Sequence, residues 1–243
     1  MPRYKIATKL RLWSYVTLLM LSSPVVFSSE DHYETGKRSP HGIGKYYMGR
    51  EISKVMGHLG ARWLERSGRT LEERTDLLLD LLPLEAGMLV ADIGAGTGYF
   101  SIPIAERLTS GEVLAVDIQP EMLALIEQKA KTKGVRNVRL IQGRVDAPLL
   151  PEGEVDLVLM VDAYHEFEFP FEMAAGIKRG LKPGGIVVLV EYRAEDPAVP
   201  ILRLHKMSAE QARKEWQALG FIFEKNISDL PQQHVLIFRK PLH

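Results

Sequence analysis

Asp92, Gly94, Gly96 and Gly98 fall at alternate positions in Val90-Ala91-Asp92-Ile93-Gly94-Ala95-Gly96-Thr97-Gly98-Tyr99-Phe100. The residues before Gly94 predict a buried strand, and those after Gly98 the start of a helix. Glycines between them remove the Cβ atoms that would hold a ligand away from the backbone. The helix start adds unpaired N–H groups and the positive end of its dipole. A ligand with a polar or anionic end fits such a turn. Two common ligands fit less well. A dinucleotide turn needs Gly-x-Gly-x-x-Gly, and counting from Gly94 puts Tyr99 at the third glycine. A phosphate loop needs a Lys after its last glycine, and none follows Gly98.

Further polar residues stand where later strands should end. Asp117 closes a predicted strand over 112–118, 25 residues after Asp92. A carboxylate there can accept from both hydroxyls of a ribose, because a charged acceptor binds paired donors well. The competing reading is a helix-capping carboxylate ahead of Pro120. Asp146 lies in Ile141-Gln142-Gly143-Arg144-Val145-Asp146-Ala147-Pro148, after a predicted strand over 138–142. Asp162-Ala163-Tyr164-His165-Glu166-Phe167 follows a nearly continuous apolar run over 155–161, and Lys182-Pro183-Gly184-Gly185 reads as a turn by composition.

In this order and spacing the segments resemble the class I S-adenosylmethionine-dependent methyltransferases, over about residues 70–240. The resemblance implies S-adenosyl-L-methionine as cofactor. It places the glycine turn, Gly94, Ala95, Gly96 and Gly98, beside the methionine part, has Asp92 orient the site, and puts Asp117 with Ile118 at the ribose. It gives Asp146 the adenine amino group and Val145 the ring face, and counts Asp162 with the cofactor residues. The chain is most similar to the small-molecule members, loosely those of quinone biosynthesis.

Methyl transfer is an in-line displacement, so the protein must hold the acceptor about 3 Å from the methyl group and, for some acceptors, take a proton. His165 is the first candidate for a base or acceptor anchor, with Tyr164 beside it. Glu166 would orient His165 or bind a cation. The bland alternative is a loop histidine packed on Phe167 and Phe169. On the substrate side stand Glu191 and Arg193 at the end of the fifth strand, His205 and Lys206 before the next helix, and Tyr46, Tyr47 and Arg50 in the N-terminal arm. Arg193 with Lys206 would suit an acidic acceptor. Surface packing explains each of these equally well.

Alternating strands and helices position these groups. They predict an α/β fold with a parallel sheet covered by helices on both faces and ligands beyond the carboxyl ends of the strands. The resemblance implies a seven-stranded Rossmann-like methyltransferase sheet in the order 3-2-1-4-5-7-6, its last strand antiparallel. Ahead of the sheet, Thr70 to Glu73 fits a capping box that opens a helix with Leu77, Leu78, Leu81 and Leu82 on its core face. Residues 30–69 read as an arm and lid. Residues 30–47 read by composition as a loop or an ordered arm, and Ile52, Val55, Met56, Leu59 and Trp63 are spaced as one face of an amphipathic helix. Residues 1–29 carry Arg3, Lys5, Lys9 and Arg11, then an apolar run to Phe27, as in a secretory signal. This implies export to the periplasm. An uncleaved membrane anchor or a cytoplasmic chain are the alternatives. Export also raises the question of how the cofactor, made in the cytosol, would be supplied.

Bulk composition narrows the classes. The 243 residues suffice for one sizeable α/β domain, here 70–243. Acidic and basic residues balance at 31 each, which gives no sign of a nucleic-acid partner. The chain has no cysteine, so disulfides, thiolate metal sites and a cysteine nucleophile are excluded. Its seven histidines lack His-x-x-x-His spacing, which predicts no metal site. The functional expectation is methyl transfer to a small-molecule acceptor. A module that binds the cofactor without turnover is the alternative, and an NAD-dependent oxidoreductase is disfavoured by Tyr99.

Overall fold

The computed structural model describes residues 32–243, so the secretory signal expected over 1–29 lies outside them. In chain order the elements are β1 (Tyr33–Thr35), β2 (Gly42–Tyr47), β3 (Arg50–Ser53), α1 (Ala61–Leu64), α2 (Arg69–Glu73), α3 (Thr75–Leu81), β4 (Leu89–Ile93), α4 (Ser101–Arg107), β5 (Glu112–Asp117), α5 (Pro120–Lys133), β6 (Val138–Gln142), β7 (Val155–Val161), α6 (Pro170–Gly180), β8 (Leu181–Tyr192), α7 (Ala209–Ala218), β9 (Ile222–Ile227) and β10 (Gln233–Arg239). Among the described residues no helix is long and apolar enough to cross a membrane.

Strands β4 to β10 form one seven-stranded sheet in the order β6-β5-β4-β7-β8-β10-β9. Numbered within the sheet this is 3-2-1-4-5-7-6, with β10 antiparallel to both neighbours. The central strands are apolar on both sides, as a sheet covered twice requires. Ala91, Leu114, Val158, Met160, Val187 and Leu189 face one layer and pack with Met173 and Ile177 of α6 and Trp216 of α7. Val90, Val113, Leu157, Leu159 and Val188 face the other and pack with Leu78 of α3 and Ile104 of α4. Gly134 ends α5 in a left-handed conformation (φ +70°), and Ser208 Oγ accepts from Gln211 N to cap α7.

The structure corrects four local expectations. Residues 33–53, where composition predicts a loop or an ordered arm but no strands, form a separate three-stranded antiparallel sheet, β1-β2-β3. The amphipathic helix expected over 52–63 does not form. Ile52 is buried in β3, a 3-10 turn spans His58–Gly60, and only α1 is helical. Gly57 and Gly60 break the run, and backbone pairing with β2 claims its start. Thr70 caps nothing: α2 begins at Arg69 with no side-chain cap, and the side chain of Glu73 turns inward to an ion pair. Lys182-Pro183-Gly184-Gly185 is not a free turn. It lies within β8, where Leu181 pairs with Val155 and Ile186 with Leu157, so the extra residues bulge from the ladder.

Candidate active site

Five strand ends meet along one cavity of about 460 Å³. Strand order reverses between β4 and β7, and their exits, with those of β5, β6 and β8, supply its floor. This is where open α/β sheets bind ligands.

The β4 exit is the glycine turn. Gly94 N and Ala95 N both donate to Val116 O, at 2.9 and 3.0 Å, which fixes the turn against β5. Gly94 and Gly96 line the cavity with φ of +74° and +54°. A Cβ on Gly94 would lie 2.6 Å from the Ala163 Cβ, so a side chain there would both strain the backbone and collide. Ala95 and Gly98 do not reach the cavity. Ala95 packs in the core beside α5, and Gly98 closes a turn to Ala95 O over Ile126. Asp92 also lies beneath the turn rather than in the cavity. Its Oδ2 accepts from Ser101 Oγ at 2.5 Å and ties β4 to the first residue of α4. Burial, with the nearby Asp117 charge adding to it, pushes the Asp92 carboxyl up to about 6.

Ionising Asp92 therefore costs folding free energy, on the order of 3 kcal/mol. Its folded value exceeds the ordinary one, so the cost is absent below about pH 4, grows up to about pH 6 and is complete above that. Asp92→Asn is expected to match the wild type in urea unfolding near pH 4 and to exceed it by about 3 kcal/mol at pH 8. A wild type more stable than the variant at pH 8 would contradict this electrostatic account of Asp92.

At the β5 end, Asp117 Oδ2 accepts from Gly96 N and Oδ1 from Gln119 N, both at 2.9 Å. The carboxylate thus joins the glycine turn to the N-terminus of α5 and still faces the cavity with its remaining lone pairs. Burial holds its carboxyl above the ordinary range, and the two N–H donors offset part of that rise. Ile118, Gln119 and Met122 continue the same wall.

After β6, Gly143, Arg144 and Val145 line the cavity, but Asp146 does not. Its carboxylate is turned to the Arg144 guanidinium, 2.9 Å away on the exposed side of the loop. The adenine role expected for Asp146 is therefore corrected: this wall offers Val145 and loop backbone instead. Asp146→Ala is expected to change cofactor affinity less than about twofold, since exposed ion pairs contribute little. Equilibrium titration checks this, and a tenfold loss would restore Asp146 to the site.

Asp162 ends β7 in a left-handed conformation, φ +51°, unusual for a side-chain-bearing residue. It lines the cavity, and its Oδ2 accepts from Gln233 Nε2 at 2.9 Å. Its buried Oδ1 has no partner among the described residues. Burial, reinforced by Glu73 and Glu191, holds its carboxyl well above the ordinary range. Arg69 lines the cavity too, a residue that sequence reasoning does not single out. Its Nε donates to Glu73 Oε2 at 3.0 Å, and Glu73 in turn accepts from Arg66 Nη2 at 2.5 Å and Tyr192 Oη at 2.7 Å. The i,i+4 spacing of Arg69 and Glu73 is the available signal.

The cavity lining also includes apolar residues, among them Phe167, Pro200, Ile201 and Leu202, and one polar corner. There His165 Nε2 lies 3.1 Å from His205 Nδ1 and 3.8 Å from Glu166 Oε1, and the last two are 3.3 Å apart. Behind it, His165 Nδ1 lies 2.6 Å from Glu191 Oε2, and Glu191 Oε1 accepts from His165 N at 3.2 Å. Burial opposes a charge on His165, but Glu191, Glu166 and Asp162 outweigh it and raise the imidazole above its ordinary value. A rule based on spacing along the chain predicts no metal site because it cannot see this set. The two histidines are 40 residues apart and come from 3-10 turns after β7 and before α7.

Several substrate-side expectations are corrected. Tyr164 is fully buried in the core beside Trp216 and Phe167, so it touches no ligand. Tyr47 is also buried, against Tyr33, and Tyr46 turns outward to Lys37 O. Arg50 pairs through two nitrogens with the buried Glu215, at 2.6 and 3.1 Å, and donates to His165 O, so it supports the polar corner from behind. Arg193 is spent on the carbonyls of Ser228, Leu230 and Pro231, and Lys206 on those of Asp196 and Val199. Glu191 reaches the cavity only through His165. The arm does contribute to the site, through Val55, Met56, Trp63 and Leu64 rather than its tyrosines.

A family model described as a methyltransferase domain matches residues 90–185. An uncharacterized methyltransferase of Bacillus subtilis, YcgJ, is 30% identical over 155 residues, 60% of each chain. A demethylmenaquinone methyltransferase of Thermus thermophilus is 31% identical over 132 residues, 54% of each chain. The chain thus spans little more than half the length of these curated relatives. Among solved structures, an S-adenosylmethionine-dependent methyltransferase from Aquifex aeolicus matches with a TM-score of 0.72 at 20% identity, over 76% of this chain and 100% of that one.

Proposed function

Because the chain belongs to the class I S-adenosylmethionine-dependent methyltransferases, by its domain over residues 90–185 and its fold, we propose that it methylates a small, largely apolar acceptor carrying an ionisable hydroxyl. The carrying observation is that the Gly94–Gly96 turn, Asp117 and the unpartnered Oδ1 of Asp162 face one cavity. These residues fit S-adenosylmethionine. A buried acceptor without a donor is costly, and the ammonium group of the cofactor's methionine part would supply one to Asp162. Arg69 can pair with the neighbouring carboxylate, Asp117 can accept from the ribose hydroxyls, and Val145 and Ile118 can flank the adenine.

Bound there, the cofactor supplies an electrophilic methyl group on sulfur. The chain's own residues do the rest. The apolar walls from Phe167 to Leu202 exclude water and hold the acceptor in line. Glu191, accepting from His165 Nδ1, orients the His165 ring, and the corner that His165 forms with His205 and Glu166 can receive the proton an acceptor hydroxyl releases. The relatives named demethylmenaquinone methyltransferases support an apolar acceptor. The test is incubation with methyl-labelled S-adenosylmethionine and a panel of hydroquinones, phenols and carboxylic acids. Label in the organic extract with hydroxylated aromatics is expected. No transfer to any hydroxylated acceptor, from a protein that binds the cofactor, would overturn the proposal.

A further inference from the structure

We infer that His165, Glu166 and His205 form a binding site for a divalent transition-metal ion of the zinc type, whose open position faces the acceptor. Three observations converge. The first is geometric. Tetrahedral zinc with bonds of about 2.0–2.1 Å to nitrogen and oxygen needs ligand atoms roughly 3.3–3.4 Å apart. The three separations in the corner, 3.1, 3.3 and 3.8 Å, bracket that value.

The second is the direction of the proton on His165. Glu191 Oε2, 2.6 Å from Nδ1, makes that nitrogen the donor and leaves a lone pair on Nε2. Nε2 then points toward a carboxylate oxygen and a second imidazole nitrogen. With the His205 proton on its other nitrogen, all three atoms offer electron pairs to one point, where a cation can sit. A carboxylate behind a ligating histidine is the arrangement that fixes ring and tautomer at metal sites. Glu191 is fully buried, and Glu166 is itself held, with its Oε2 accepting from Met56 N at 3.1 Å.

The third is charge. Two carboxylates, Glu191 and Glu166, lie 2.6 and 3.8 Å from the His165 ring nitrogens. The neighbouring cation, Arg50, is bound through two nitrogens to Glu215. The corner therefore carries an excess of negative charge that a divalent cation would balance.

All three ligands line the cavity, so the fourth tetrahedral position opens into it. An oxygen of the acceptor would occupy that position. This last step rests on the proposed methyl transfer, whereas ion binding does not. With an ion bound, His165 Nε2 is a ligand rather than a proton acceptor.

The experiment uses untagged full-length protein stripped with a chelator and titrated with Co²⁺, whose visible absorption reports tetrahedral coordination, and then with Zn²⁺ in competition. One equivalent of tetrahedral Co²⁺, displaced by Zn²⁺, is expected. Glu166→Gln and His205→Ala are expected to lose the absorption while still binding S-adenosylmethionine, which also shows that they fold. Glu191→Gln, changed only at the positioning residue, is expected to weaken metal binding about 10–100-fold. No saturable Co²⁺ or Zn²⁺ binding below about 100 μM, or His205→Ala binding as well as the wild type, would overturn the inference. Either result would leave the cofactor and methyl-transfer reading standing, because those are measured separately.

Discussion

Asp117→Ala is expected to weaken S-adenosylmethionine binding about 100-fold, the largest effect of any single change in the cofactor half of the cavity. On the proposed ribose contact two charge-assisted hydrogen bonds would be lost, and at the low end of roughly 1.5–3 kcal/mol each they account for a loss of this size. Gly96 N and Gln119 N also lose the acceptor that holds the glycine turn against α5. Calorimetric titration measures the affinity, and circular dichroism confirms the fold. Asp117→Asn separates the two contributions. It keeps one acceptor oxygen and most of the backbone geometry, so its loss should be smaller than that of the Ala variant. Unchanged affinity in Asp117→Ala would remove the ribose contact from the account.

The second large effect is on stability. Glu73→Ala is expected to destabilise the protein by about 3–5 kcal/mol, the cost of leaving buried cations without their partner. Arg69 and Glu73 are both almost wholly buried, and Arg66, Tyr192 and Gln233 converge on the same carboxylate. A surface ion pair would yield under about 1 kcal/mol on the same change. Glu73→Gln should fall between, since it keeps acceptor and volume but not charge. Because Arg69 and Tyr192 line the cavity, surviving Glu73→Ala protein should also bind the cofactor less tightly. Urea unfolding measures the first effect. A change below about 1 kcal/mol, the range of an exposed pair, would show that the network is not what orders α2 beneath the site.

The parallel sheet and the cavity residues at its strand ends were legible in the sequence because one physical constraint writes both. A strand covered on both faces needs a continuous apolar run, and Val155–Val161 and Leu89–Ile93 have it. The next residues along the chain lie at the strand's carboxyl end, so Gly94, Asp117 and Asp162 could be placed from their positions alone. Asp146 shows the limit. Chain position put it on the correct loop, but the side chain went to Arg144, a neighbour two residues away.

The N-terminal arm was not legible for a different reason. Its β2–β3 hairpin turns at Met48-Gly49, with φ of +49° and +97°. Such turns are signalled by Asn-Gly or Asp-Gly, and a Met in the left-handed region gives no such signal. Meanwhile the apolar residues from Ile52 to Trp63 happened to match helical spacing, and tertiary pairing overrode it. The polar corner was half legible. His165 and Glu166 stand at a strand end, whereas His205 joins them only through the folding of the segment between β8 and α7.

The most direct measurement is isothermal titration of the intact protein with S-adenosylmethionine. One site per chain with micromolar affinity is expected, and S-adenosylhomocysteine should compete for it. No binding heat and no competition at millimolar concentration, from protein shown to be folded, would contradict the assignment of this cavity.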